Sequence, residues 1–114
     1  MPAQLYSYRA TCDRVIDGDT LVLSVDLGFH VTVKETFRLL GINCPELGTI
    51  AGLNARNEVI RRVAFGTMRI ETVKDRTEKY GRFLVRVYPL SDAGVEYELN
   101  RYLVEHGFAV EYMP

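Results

Sequence analysis

Apolar and polar residues alternate from Tyr6 to Ile16, with Tyr8, Ala10 and Cys12 on one side and Arg9, Thr11 and Asp13 on the other. A period of two predicts a half-buried strand. Asp17-Gly18-Asp19 then signals a turn. Alternation resumes from Thr20 to Asp26, where Leu21, Leu23 and Val25 share a face. Leu27-Gly28 turns the chain again, and Val31 to Leu40 reads as a third, longer strand. Three strands joined by tight turns predict a meander. The third strand is expected to stop at Gly41 and not to resume through Pro45, which has no N–H for a ladder. The chain then turns sharply with Asn43, Cys44 and Glu46 on the turn.

In the second half the period lengthens. Thr49 is a candidate N-cap for a helix from about Ile50 to Phe65, with Ala55, Val59, Ile60 and Val63 as its apolar stripe and Gly66 just past its end. Arg56, Arg61 and Arg62 fall mostly off that stripe and read as a solvated face. Met68 to Val73 predicts a fourth strand and Arg82 to Tyr88 a fifth, separated by a charged loop from Lys74 to Gly81. Tyr97 to His106 predicts a short helix with Leu99, Tyr102 and Leu103 inward and Gly107 at its end. Five strands and two helices in this order predict an α+β domain, mainly β: a five-stranded OB-fold barrel with two helices, over residues 1–114 as one domain.

Composition narrows the function. The net charge is −1 and the pI about 6.1, which argues against broad electrostatic binding to nucleic acid. Any phosphate must be recognised by a few placed arginines. The two cysteines, Cys12 and Cys44, read as free thiols of an intracellular protein, with Cys12 in the core. No membrane span or signal peptide is visible, so the expected compartment is the cytoplasm. Nothing in the sequence points to a protein partner.

The chemistry concentrates in three segments: Asp17 to Thr20, Arg38 to Glu46, and Arg76 to Arg82. The first two meet if the second and third strands are antiparallel neighbours. A guanidinium on a strand, with an amide and a carboxylate on the turn beyond it, are the parts of an anion-and-metal site. Each piece also has a plainer reading: a β-turn for Asp17 and Asp19, a structural ion pair for Arg38, turn chemistry for Asn43-Cys44-Pro45, and a solvated pair for Arg82. His30 is expected exposed in its hairpin, and His106 near the last helical carbonyls.

Taken in order, Asp-Gly-Asp-Thr, Phe-Arg-Leu-Leu-Gly-Ile-Asn-Cys-Pro-Glu, Arg-Thr-Glu-Lys-Tyr-Gly-Arg and Leu-Asn-Arg-Tyr-Leu-Val-Glu-His-Gly-Phe-Ala resemble the staphylococcal nuclease family from about Tyr8 to Tyr112. The resemblance implies an OB barrel and calcium-dependent hydrolysis of DNA and RNA phosphodiesters that leaves 3′-phosphates. It implies that Asp19, Asn43 and the Cys44 carbonyl hold calcium or another divalent cation. It also implies that Glu46 activates or positions water, that Arg38 and Arg82 hold the phosphate, and that Tyr80 and Tyr112 contact the nucleotide. Single-stranded DNA or RNA is the expected substrate.

Three departures stand out. Asn43 replaces a carboxylate with a neutral oxygen, which should weaken calcium binding. The loop after Glu46 is shorter than in the best-known member. The sequence ends at Pro114, before that member's C-terminal helix. Two further readings follow: an OB barrel that binds nucleic acid with weak or no turnover, and an interaction domain in a larger assembly. The joint presence of Arg38, Glu46 and Arg82 favours the enzyme.

Overall fold

The three alternating segments form the expected meander: β1 (Leu5–Asp17), β2 (Thr20–Asp26) and β3 (Thr32–Leu39), each antiparallel to the one before. The computed structural model describes residues 5–64, 66–77 and 81–112. Bulges between Cys12 and Arg14 and between Val15 and Asp17 bend β1. One strand thereby pairs with β2 along one stretch and with β5 (Met68–Thr77) along another. β5 pairs antiparallel with β6 (Phe83–Tyr88), and β6 closes on β3 in parallel, Phe37, Arg38 and Leu39 facing Phe83, Leu84 and Val85. The result is the expected closed five-stranded barrel, ordered β1-β2-β3-β6-β5. Its inward residues, among them Leu21, Leu23, Leu39, Ile70, Val85 and Val87, are fully buried. Each such side chain contributes about 1.5–3 kcal/mol by leaving water.

β5 runs on to Thr77, four residues past the expected end, into the stretch read as loop; its pairing with β6 is irregular between Thr72 and Thr77. A second difference lies after Gly41. The chain does resume a strand there: β4 (Ile42–Asn43) pairs antiparallel with β7 (Val110–Glu111). Gly41, at φ +79°, makes the turn, and the ladder ends before Pro45, so the missing N–H is never needed.

Helix α1 (Ile50–Val63) starts where Thr49 accepts the Gly52 N–H. Ala55, Val59 and Val63 are buried as the stripe predicts. Glu58 is buried beside them, at 6% exposure. The Arg62 Nε donates to its carboxylate at 2.9 Å, and so does the Tyr102 hydroxyl at 2.6 Å. Arg62 is therefore half-buried, and Arg56 donates to the Val15 carbonyl; of the three arginines only Arg61 is exposed as expected. Helix α2 (Leu99–Glu105) is shorter than predicted, and its first buried turn carries Asn100. That amide donates to the Leu40 and Val85 carbonyls and accepts the Val87 N–H, joining α2 to the ends of β3 and β6. His106 places Nδ1 3.0 Å from the Tyr102 carbonyl, as its position predicts, and His30 is exposed.

Two stability predictions follow from these buried polar groups. Asn100→Leu leaves the Val87 N–H and the Leu40 carbonyl without that side chain, and the loss should be about 2–4 kcal/mol in urea denaturation. The second concerns Glu58. Burial acts to raise its pKa, but hydrogen bonds from Tyr102 and Arg62, with the charges of Arg62 and Arg61, outweigh it and hold the carboxyl below the usual 4.5. The unfolded chain then binds the proton more readily. The stabilisation is full above about pH 4.5 and is lost as pH falls through the depressed folded value. Denaturation across pH should show the gap between wild type and Glu58→Gln widest at neutral pH and shrinking below pH 4.5.

Candidate active site

The site begins at the turn between β1 and β2. The Asp19 N–H donates to Asp17 Oδ1 at 3.1 Å, closing a local Asx turn. Gly18 between them is buried. A Cβ on it would lie 2.8 Å from Cys44 Sγ and 2.9 Å from the Ala55 Cβ, so glycine lets this turn press against both the Cys44 turn and α1. Asp19 is buried at 8% exposure. Its Oδ2 accepts the Cys44 N–H at 2.9 Å, its Oδ1 accepts the Thr20 hydroxyl at 3.3 Å, and its carbonyl accepts the Leu39 N–H.

Two guanidinium groups approach the same turn from different strands. Arg38, paired across the ladder with Thr20, donates from Nη2 to Asn43 Oδ1 at 3.0 Å and stands 3.8 Å from Asp19 Oδ2. Its Nη1 donates to the Leu39 carbonyl, and the Tyr112 ring lies over it, 5.3 Å from centroid to guanidinium. Arg82, just before β6, donates from Nη1 to Thr20 Oγ1 at 2.9 Å. Thr20 thus bridges Arg82 to Asp19.

The carboxylates feel one another. Burial raises the pKa of Asp19, and so do the hydrogen bond and the charge of Asp17, against the lowering by Cys44 and Arg38. Burial also acts upward on Asp17, but hydrogen bonds from Asp19 and Thr20 and the charge of Arg82 win and hold it low. The two shifts are opposite: Asp17 gives up its proton more readily than an ordinary aspartate and Asp19 less readily. Cys44 is pushed up to about 12 by burial and by both aspartates, so it stays a thiol at neutral pH.

The structure thus brings together Asp19, Arg38, Asn43, Cys44, Arg82 and Tyr112. Glu46 is exposed on the same turn, two residues past Cys44, and its carbonyl is held by Thr49. Tyr80 lies outside the described residues. Sequence reasoning treated Asp17 as turn chemistry and passed over Thr20 as a bridge; the spacing of Asp17-Gly18-Asp19-Thr20 was the available signal. A cleft of about 220 Å³ opens beside the turn, lined by Asn43, Cys44, Pro45, Phe108, Ala109 and Val110. A larger groove of about 440 Å³, lined by Tyr8, Arg9, Arg69, Tyr88 and Glu96 among others, contains none of these residues.

Among the described residues, no three His, Cys, Asp or Glu side chains gather as a metal cluster. The donors at hand are Asp17, Asp19 and the neutral Asn43 Oδ1. Two carboxylates pressed together and an all-oxygen set fit a hard cation such as calcium or magnesium, and the un-ionised Cys44 thiol adds no soft ligand.

Residues 36–114 match the staphylococcal nuclease homologue family. No curated protein matches the chain. The matched stretch contains Arg38, Asn43, Cys44, Glu46, Arg82 and Tyr112, and the fold carries the Asp17–Thr20 turn to it from outside that stretch. Spanning more than half of the sequence and set on a closed five-stranded barrel, this match makes the chain a member of the staphylococcal nuclease homologue family.

Proposed function

We propose that residues 1–114 act as one domain, a divalent-cation-dependent nuclease of the cytoplasm that hydrolyses phosphodiesters of single-stranded DNA or RNA and leaves 3′-phosphates. The observation that carries this reading is the convergence of Arg38 and Arg82, from β3 and the start of β6, on a paired carboxylate turn. A phosphodiester is an anion whose hydrolysis adds charge to its equatorial oxygens. Two guanidinium groups meet that charge with paired N–H donors, each worth about 3 kcal/mol in the transition state. Glu46 takes the proton of the attacking water, whose oxygen bonds to phosphorus as the P–O5′ bond breaks, and the departing O5′ takes a proton from solvent to leave as the 5′-hydroxyl. Asp17, Asp19, Asn43 and the Cys44 carbonyl would hold the cation, calcium or another divalent ion, which supplies Lewis-acid polarisation of a phosphoryl oxygen when bound. Tyr112 and Tyr80 flank the nucleotide. No described helix is long and apolar enough to cross a membrane.

A second reading is a nucleic-acid-binding barrel with little turnover. Asn43 supports it, because this residue brings no charge to a cation and its Oδ1 accepts a hydrogen bond from Arg38.

Incubating the protein with denatured DNA plus calcium, plus magnesium or manganese, and plus chelator separates the two readings. Cleavage that chelator abolishes is expected. Arg38→Ala and Arg82→Ala should each lower turnover about 10²–10³-fold with the fold intact by circular dichroism. Equal turnover in all three proteins would overturn the mechanism. Calorimetric titration should place calcium affinity near 10⁻⁴–10⁻³ M, and Asn43→Asp should tighten it about tenfold. Unchanged affinity would remove Asn43 from the ligand set.

A further inference from the structure

Glu46 takes its place from the first turn of α1. Its carbonyl oxygen accepts two hydrogen bonds from Thr49, one from the backbone N–H at 3.1 Å and one from the hydroxyl at 2.6 Å. The same hydroxyl oxygen accepts the Gly52 N–H at 3.0 Å. One atom, Thr49 Oγ1, therefore both caps α1 and holds the Glu46 backbone.

Gly52 makes this approach possible. A Cβ there would overlap the Glu46 carbonyl group and lie 2.9 Å from the Pro45 carbonyl oxygen. Both obstacles are backbone, which cannot swing aside as a side-chain tip can. Glycine is a poor helix former, so local propensity does not explain it. The position is three past the cap, where a Glu or Gln would close a capping box. The sequence has neither a better helix former nor that box, and the Pro45–Glu46 backbone lies directly against the helix instead.

Helix α1 is in turn seated on the carboxylate turn. Ala55 packs beside Gly18, and Arg56 Nε donates to the Val15 carbonyl at 3.2 Å. From Gly18 through Ala55 and Gly52 to Glu46, the linkage consists of short contacts.

We propose that Gly52 and Thr49 are positioning residues, which fix where the Glu46 side chain starts relative to Asp17, Asp19 and the arginine pair. This rests on the reading of Glu46 as the group that activates water. Helix α1, and not only the strand that precedes the turn, then sets the distance between that group and the phosphate clamp.

The test uses denatured DNA with calcium and the variants Gly52→Ala, Thr49→Val and Thr49→Ser, each alone and combined with Glu46→Gln. Gly52→Ala should lower kcat about ten- to hundredfold with KM within about twofold, because a displacement near 1 Å suffices for such a loss. Thr49→Val should act in the same direction, and Thr49→Ser, which keeps the hydroxyl, should restore turnover. Combined with Glu46→Gln, none should cause a further loss. Losses that multiply in that background would overturn the proposal. Wild-type turnover by Glu46→Gln alone would instead overturn the role given to Glu46. The placement is read separately from proton–nitrogen NMR spectra: the Glu46 amide resonance should move in Gly52→Ala and Thr49→Val and stay near its wild-type position in Thr49→Ser. A resonance unmoved in the first two overturns the proposal whatever the turnover. If Gly52→Ala fails to fold, the two Thr49 variants carry both readouts.

Discussion

The carboxylate of Asp19 is buried beside a second carboxylate, and the architecture around it answers that charge. An ionised group removed from water is costly unless hydrogen-bonded or paired. Here the Cys44 N–H, the Thr20 hydroxyl and, at longer range, the Arg38 guanidinium supply partners. Each comes from a different piece of backbone. Meeting the charge therefore ties the β1–β2 turn to the turn that follows β3, and the Leu39 N–H to the Asp19 carbonyl tightens the same junction. Even so, burial and the neighbouring Asp17 hold the Asp19 carboxyl above its ordinary value.

The arginine pair depends on barrel closure. β3 and β6 run parallel, so the end of β3 and the start of β6 do not meet through a hairpin. Arg38 reaches the site along the outer face of β3, and Arg82 from the residue just ahead of β6, with Thr20 between them. Asn100 supports this seam from behind, because one amide joins β3's end and β6 to α2. The chain after α2 then returns to the site. Tyr112 donates its N–H to the Gly41 carbonyl and lays its ring over Arg38. Such a cation–π contact contributes about 0.5–1 kcal/mol at an exposed site. Its larger effect is to limit where the guanidinium can point.

A second polar cluster holds the two helices together. Glu58 on α1 is buried because Arg62 and Tyr102 both reach it, and Tyr102 stacks on His106 at 4.1 Å. This gives α1 a fixed seat against α2 as well as against β1. A helix held on both sides is a firm support for the turn carrying Glu46, whose carbonyl rests on its first residues.

Much of the fold was legible because its signals are local. The alternation of Leu21, Leu23 and Val25 fixes which face of β2 is inward, Thr49 can cap only a helix that starts after it, and Gly28 and Gly41 mark turns whose backbone they suit. By itself, then, the sequence determined the meander and the two helices, and it singled out Asp19, Arg38, Asn43, Cys44, Arg82 and Tyr112, which the fold brings together. Other features depended on residues far apart along the chain. The two-residue pairing of β4 with β7 has no period to read. Nothing local in the sequence marks Glu58 as buried; Arg62 and Tyr102 surround it only in the fold. Asp17 reads from the sequence as turn chemistry, and only the fold sets its carboxyl beside Thr20 and the charge of Arg82. Hydrogen-bond partners, burial and charge coupling are functions of distance in space, and only the tertiary path of the chain decided those distances.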